Sequence, residues 1–209
     1  MTHNDLTWKF INEYDVENEH QHAARSAAIE LGLEVVDAAV GAQMAQITAA
    51  ANATNIIEIG TGAGHSALWL LTGAPEATLT SIDPEFANHE AAREIFNAAS
   101  FPASRIRLIS GKAGDVLPRM NENSYDIVLV DGDPKQLLEN VEHALRLVRI
   151  GGTILIPHAL GNDVGNPANR TAVTSAYRTV LTEIAQAENM VSSLSAAGDG
   201  LLAMTKVAS

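Results

Sequence analysis

Residues 56–70 read "IIEIGTGAGHSALWL". Four residues of buried-strand type, Ile56 to Ile59, run straight into three glycines spaced two apart, Gly60, Gly62 and Gly64, and then into a stretch of helical composition. A strand-to-helix turn so rich in glycine lets backbone N–H groups come close to a ligand while the new helix starts. The spacing is G-x-G-x-G; the dinucleotide fingerprint would need a third glycine at position 65, where His65 stands, so a nicotinamide cofactor is disfavoured. A tight turn that holds nothing is the plain alternative.

Working outward, further short apolar runs of strand length lie at Leu79–Ile82, Ile106–Ile109, Ile127–Val130 and Thr153–Ile156. Between most of them the pattern predicts helices over His65–Leu71, Glu85–Ala99, Asp115–Met120 and Gln136–Val148. Such alternation predicts an α/β fold with a mostly parallel sheet covered on both faces. Ahead of it, helices are expected over Asp15–Leu31 and Glu34–Ala51; after it, a helix at Ala172–Gln186 and an antiparallel hairpin turning around Gly198 and Gly200.

The 209 residues, 46% hydrophobic and 18% charged, suit one domain over 1–209 with an N-terminal helical extension at about 1–32. A formal charge of -12 with no basic cluster argues against nucleic acid or an anionic membrane as partner. The polar, acidic start does not read as a secretory signal, and no apolar run approaches a membrane span. Without cysteine there is no disulfide and no thiolate metal site, so the cytoplasm is the expected compartment.

In an open α/β sheet ligands bind beyond the carboxyl ends of the strands, which makes the acids there candidates. Glu58, two residues before the first glycine, is costly at the end of a buried strand unless something bonds to it, and a cationic ligand would do so. Asp83, in "SIDPEF", is placed to accept hydrogen bonds from ribose hydroxyls, or to cap a helix whose first position is Pro84. Gly111, Lys112 and Ala113 stand where a loop would flank a flat base. Asp131 and Asp133, in "VDGDP", reach the same edge over the presumed reaction centre.

In order, "IIEIGTGAGHSAL", "SIDPE", "RIRLISGKAGDVLP", "YDIVLVDGDP", "ALRLVRIGGTILIP" and "GDGLLAMTK" resemble the S-adenosylmethionine-dependent O-methyltransferases of the catechol and caffeoyl-CoA type, over roughly Val36 to Lys206. The resemblance implies a Rossmann-like class I methyltransferase fold with a seven-stranded sheet and S-adenosyl-L-methionine as cofactor. It implies Gly60, Thr61, Gly62 and Gly64 around the methionine portion, Ser66 on its carboxylate, and Asp83 with Pro84 at the ribose. Gly111, Lys112 and Ala113 would flank the adenine. Glu58 would sit behind the turn or contact the methionine ammonium. It further implies a small, catechol-like hydroxyl acceptor and a homodimer, with the N-terminal helices capping the acceptor pocket or forming the dimer interface.

Metal-dependent members hold a divalent cation, magnesium or manganese, on the acceptor's hydroxyls. Their first metal aspartate maps onto Asp131 and the second acidic position onto Asp133, while the lysine that follows falls on Pro134, leaving Lys135 one residue late. Their later Asp-Asn pair falls on Pro157 and His158. Proline carries no ligating side chain, so His158 is read instead as a neutral general base, with Asp163 as an alternative carboxylate and a plain loop histidine as the reading against both. A metal-independent methyltransferase acting on another nucleophile, or a binding protein without catalysis, is then the competing reading. His20, His22, His89 and His143 are expected in solvent, and His65 at the cofactor pocket or in a structural role. No G-x-S-x-G or H-E-x-x-H pattern supports a hydrolase.

Overall fold

The computed structural model describes residues 3–14 and 16–208. Asp15, the expected start of the first helix, lies outside them. Three helices, α1 (His3–Tyr14), α2 (Glu19–Glu30) and α3 (Ala38–Ala50), precede β1 (Asn55–Ile59). Then follow α4 (His65–Gly73), β2 (Thr78–Asp83), α5 (Phe86–Ala98), β3 (Ile106–Ser110), α6 (Ala113–Val116) and β4 (Tyr125–Val130). The chain closes with α7 (Leu137–Leu147), β5 (Val148–Pro157), α8 (Ala172–Gln186), β6 (Met190–Ser195) and β7 (Leu201–Lys206). One seven-stranded sheet results, in the order β3-β2-β1-β4-β5-β7-β6. Its first five strands run parallel, and β7 pairs antiparallel with both β5 and β6.

The two-residue period of the strands divides the core. Ile56, Leu79, Ile127, Leu129 and Leu155 face α3, α4 and α5 and meet Met44, Trp69 and Phe96. Ile57, Ile59, Val128, Val130 and Ile154 face the opposite way, among Leu147, Tyr177 and Val180 of α7 and α8. Each such fully buried aliphatic side chain contributes roughly 1.5–3 kcal/mol, which is why the central strands read as continuous apolar runs. Helices α3 and α4 touch closely: a Cβ on Gly73 would lie 2.0 Å from the Ala45 carbonyl oxygen.

Several boundaries differ from the sequence reading. Helix α3 begins at Ala38, not Glu34, because Asp37 takes the extended N-cap conformation after two β-branched valines. The residues released, 33–37, become a loop that closes over the sheet edge. Helix α5 starts at Phe86 with Glu85 as N-cap, so Pro84 precedes the helix instead of opening it. The short helix after β3 begins earlier, at Ala113, and gives way at Leu117–Arg119 to a 3₁₀ turn containing Pro118. Strand β5 starts at Val148 and crosses the Gly151–Gly152 pair with a register shift against β4. His89 is buried, contrary to the expected solvation, because it shares the inward stripe of α5 with Ala92 and Phe96. Burial lowers its pKa. Among the described residues no helix is long and apolar enough to cross a membrane.

Helix α2 and the residues before it are tied to α4 by charge. Asn18 and Gln21 form a reciprocal capping box at the start of α2. Beside it, Arg25 donates to Glu17 at 2.7 Å and to the Val36 carbonyl at 2.8 Å, while His65 Nε2 lies 2.6 Å from the same Glu17 carboxylate. Burial alone would raise the pKa of Glu17, but the bonds from His65 and Arg25 win and hold it down at about 2. A depressed carboxylate stabilises the fold above its unfolded pKa, near 4.5, and loses that contribution as pH falls towards 2. Glu17→Gln is therefore expected to lose on the order of 2 kcal/mol at pH 7, and little relative to wild type near pH 2. Urea unfolding at both pH values measures the difference; equal losses at both would detach the effect from the charge.

Candidate functional site

The carboxyl ends of β1, β2, β4 and β5 open into a cavity of about 700 Å³, roofed by residues 32–36 of the loop between α2 and α3. One wall is the glycine turn. Gly60, Gly62 and Gly64 all have positive φ, at +98°, +49° and +81°. Gly60 N–H donates to the Ile82 carbonyl at 2.8 Å and Asp131 N–H to the Ile59 carbonyl at 2.9 Å, so the turn leaves β1 wedged between its two neighbours.

Asp83 reaches this wall, but its carboxylate is already engaged. Oδ2 accepts from the N–H groups of Thr61 at 3.0 Å and Gly62 at 3.1 Å, Oδ1 accepts from Glu85 N–H at 2.9 Å, and Asn88 Nδ2 donates to both oxygens. A carboxylate has about four lone-pair positions, and these are filled by the protein. Asp83 thus lines the cavity and, with the same carboxylate, braces the turn.

Glu58 lies behind the turn, fully buried and off the cavity surface. Ser66 and Ser81 each donate to it at 2.6 Å, and Thr61 Oγ1 joins Ser81 at 2.7 Å. Burial pushes its pKa up to about 8; the serine bonds oppose this, and the charges of Asp131 and Asp83 add to it. Ser66 itself faces the cavity, as do Gly60, Thr61, Gly62, Pro84, Lys112 and Ala113. Gly64 and Gly111 do not: Gly64 packs against Phe96, and Gly111 stands one residue short of the cavity wall. His65 lines the cavity and is tied to Glu17.

Across the cavity stands a group that the sequence reading only partly assembled. His158 Nδ1 donates to Asp199 Oδ2 at 2.5 Å, and its Nε2 faces Asp131 Oδ1 at 3.6 Å. Burial alone would lower the imidazole pKa, but the Asp199 bond and the nearby charges of Asp131, Asp199 and Glu34 lift it to about 9. The Asp199 bond and the surrounding carboxylates thus favour the protonated ring, where the sequence reading expected a neutral one. Burial raises Asp131 to about 6 although His158 opposes the shift. Tyr177 of α8 completes the wall, its hydroxyl pushed up to about 12 first by burial and then by the same carboxylates, so it keeps its proton. Asp199, Glu34 and Tyr177 were missed. The sequence signal for Asp199 was its place between Gly198 and Gly200, both of which adopt positive φ in the turn of the hairpin.

The remaining candidates are not bonded to this group. Asp133 lines the cavity but is exposed, and it caps the 3₁₀ turn Pro134–Gln136 by accepting from Lys135 N–H at 3.0 Å. Lys135 is exposed and does not line the cavity. Asp163 is exposed and accepts from Asn166 Nδ2. The donor set does not fit a magnesium or manganese ion: the Pro157 side chain offers no donor atom, both ring nitrogens of His158 face carboxylates, and Asp133 is exposed with one oxygen engaged by the Lys135 N–H. Among the described residues no three His, Asp or Glu side chains converge as a metal would require.

The comparisons with known proteins agree with this geometry. A family model described as O-methyltransferase matches residues 20–207. A protein of Mycobacterium ulcerans, named provisionally as an O-methyltransferase, is 40% identical over 185 residues, 88% of this chain and 83% of that protein. A Corynebacterium glutamicum crystal structure superposes with a TM-score of 0.90 at 26% identity, over 100% of this chain and 99% of that one. The O-methyltransferase TomG of Streptomyces achromogenes, involved in tomaymycin synthesis and solved in complex with SAM, superposes at 0.85 with 24% identity over the whole of both chains. The chain belongs to the O-methyltransferase family, enzymes built on the class I methyltransferase fold.

Proposed function

We propose that this enzyme transfers the methyl group of S-adenosylmethionine to a hydroxyl of a small molecule. The observation that carries the reading is that one cavity is shared by two unlike walls, the glycine turn with Ser66 on one side and the Asp131, His158 and Tyr177 group on the other. The glycines leave the first wall without side chains, which suits the close approach of an extended cofactor, and TomG was solved with that molecule bound. Bound there, S-adenosylmethionine supplies an electrophilic methyl group on a sulfonium.

This chain's own residues then align and deprotonate the acceptor. Gly60, Thr61, Gly62 and Ser66 receive the methionine end, while Pro84, Lys112 and Ala113 border the nucleoside end. Asp131, ionised above about 6, accepts the hydroxyl proton, and Tyr177 donates a hydrogen bond to the oxygen losing it. Residues 32–36 exclude water. A catechol-like aromatic is the first acceptor to try.

The reading includes a cytoplasmic location, in keeping with the absence of cysteine. It also includes a homodimer through α1, whose Leu6, Phe10 and Tyr14 are exposed at four-residue spacing. Sedimentation as a monomer would remove the dimer. For the activity, calorimetric titration with S-adenosylhomocysteine is expected to show saturable binding, and labelled S-adenosylmethionine is expected to methylate members of a panel of phenols, catechols and alcohols. Absence of both would overturn the reading.

A further inference from the structure

We propose that the ring of His158, gripped by Asp131 and Asp199, takes the position and the electrostatic task of a divalent metal, so that the acceptor pocket works without one. The inference rests on the methyl-transfer reading for its chemistry and on the geometry of three side chains for its substance. A hard cation draws its oxygen ligands to within about 2.0–2.6 Å of a single point. Here a whole imidazole ring lies between the two carboxylates, with Nδ1 2.5 Å from Asp199 and Nε2 3.6 Å from Asp131. The oxygens are held too far apart to share an ion while the ring stays in place.

The ring is held by construction. His158 follows Pro157 at the end of β5 and sits at φ +58°, a left-handed conformation uncommon for a residue with a Cβ. Backbone strain of this kind persists where the surroundings over-determine it. The surroundings here are the hairpin turn: Leu160 N–H donates to the Asp199 carbonyl at 2.7 Å and Ala159 N–H to the Gly200 carbonyl at 3.2 Å. Both partners of the 2.5 Å bond are therefore fixed by backbone bonds between the same two loops. Asp199 acts here as a positioning residue.

The task follows from the charges that face the pocket. Asp131, Asp199 and Glu34 all bear on it, so an acceptor oxygen that becomes negative meets repulsion unless a positive group offsets it. As the acceptor oxygen forms its bond to the methyl carbon, the carbon–sulfur bond breaks and its electron pair leaves with the thioether. The hydroxyl proton passes to Asp131, and the imidazolium stays charged throughout. A single fixed cation stabilises a single oxygen, so the acceptor class includes molecules with one reactive hydroxyl. Two adjacent hydroxyls, which a chelated metal would demand, are not needed.

The test is titration of manganese into the full chain by calorimetry, with electron paramagnetic resonance of free manganese as a second readout, both with and without S-adenosylhomocysteine. Wild type is expected to show no saturable binding. The double variant Pro157→Asp, His158→Asn, which removes the ring and supplies a carboxylate and an amide, is expected to gain saturable one-to-one manganese binding that wild type lacks. One-to-one manganese binding by wild type that vanishes in Asp131→Asn would overturn the inference, and this arm decides even if the double variant does not fold. Failure of S-adenosylhomocysteine to bind strikes the methyl-transfer reading, whereas manganese binding strikes only the role of His158.

Discussion

Gly60→Ala is expected to destabilise the protein by about 4 kcal/mol or more and to abolish binding of S-adenosylhomocysteine, because two separate costs fall on one methyl group. The first is conformational: Gly60 has φ +98°, outside the region a Cβ tolerates. The second is steric. The added Cβ would lie 2.1 Å from the Asp131 carbonyl oxygen and 2.7 Å from its carbon, and both are backbone atoms of the strand next door. Relief requires the ends of β1 and β4 to part, which breaks the bond from Asp131 N–H to the Ile59 carbonyl and moves Asp131 itself.

Gly62→Ala is the internal control. Its φ of +49° is a left-handed value that other residues adopt at a cost of about 1–2 kcal/mol, and the nearest atom to its Cβ is a flexible Leu33 methyl at 3.5 Å. Thermal unfolding of the pair, with a calorimetric titration of each, measures the contrast. A Gly60→Ala protein as stable as Gly62→Ala would mean that the turn is not wedged between its neighbours.

That contrast bears on how much of the molecule could be read from its sequence. The parallel strands were legible because each contains a short apolar run, buried on both faces in β1 and β4, and the β1 turn because glycine has few other uses directly after such a strand. The positions of Asp83 and Asp131 followed, since any residue closing a parallel strand arrives at the same sheet edge. What these acids touch was not legible. Asp83 bonds amides 21 and 22 residues earlier, and His158 bonds Asp199 41 residues later, pairings that carry no periodic trace in the chain. Lys135 failed for a local reason: Asp133 caps a one-turn 3₁₀ helix there, which leaves the lysine side chain in solvent. His89 is buried although its neighbours in sequence are charged, because it shares one stripe of α5 with Ala92 and Phe96.

Asp83→Asn separates the two roles that this acid could play. If Asp83 chiefly served a ribose, an amide would still donate to and accept from hydroxyls, stability would be unchanged, and affinity for S-adenosylhomocysteine would fall modestly. As the strut of the turn, it meets N–H donors on both sides: Thr61 and Gly62 at one oxygen, Glu85 at the other, and the Asn88 amide across both. Whichever way an asparagine is flipped, its NH₂ faces a backbone N–H that has lost its acceptor, in a residue only 5% exposed. Losing charge-assisted bonds and leaving buried donors unpaired costs about 3 kcal/mol, or roughly 6–12 °C in melting temperature for a domain of this size. Affinity then falls as a consequence, because the amides of Thr61 and Gly62 are no longer held in place. Melting curves of the variant without ligand decide between the roles: an unchanged midpoint returns Asp83 to the ribose, and a large drop makes the acid part of the turn itself.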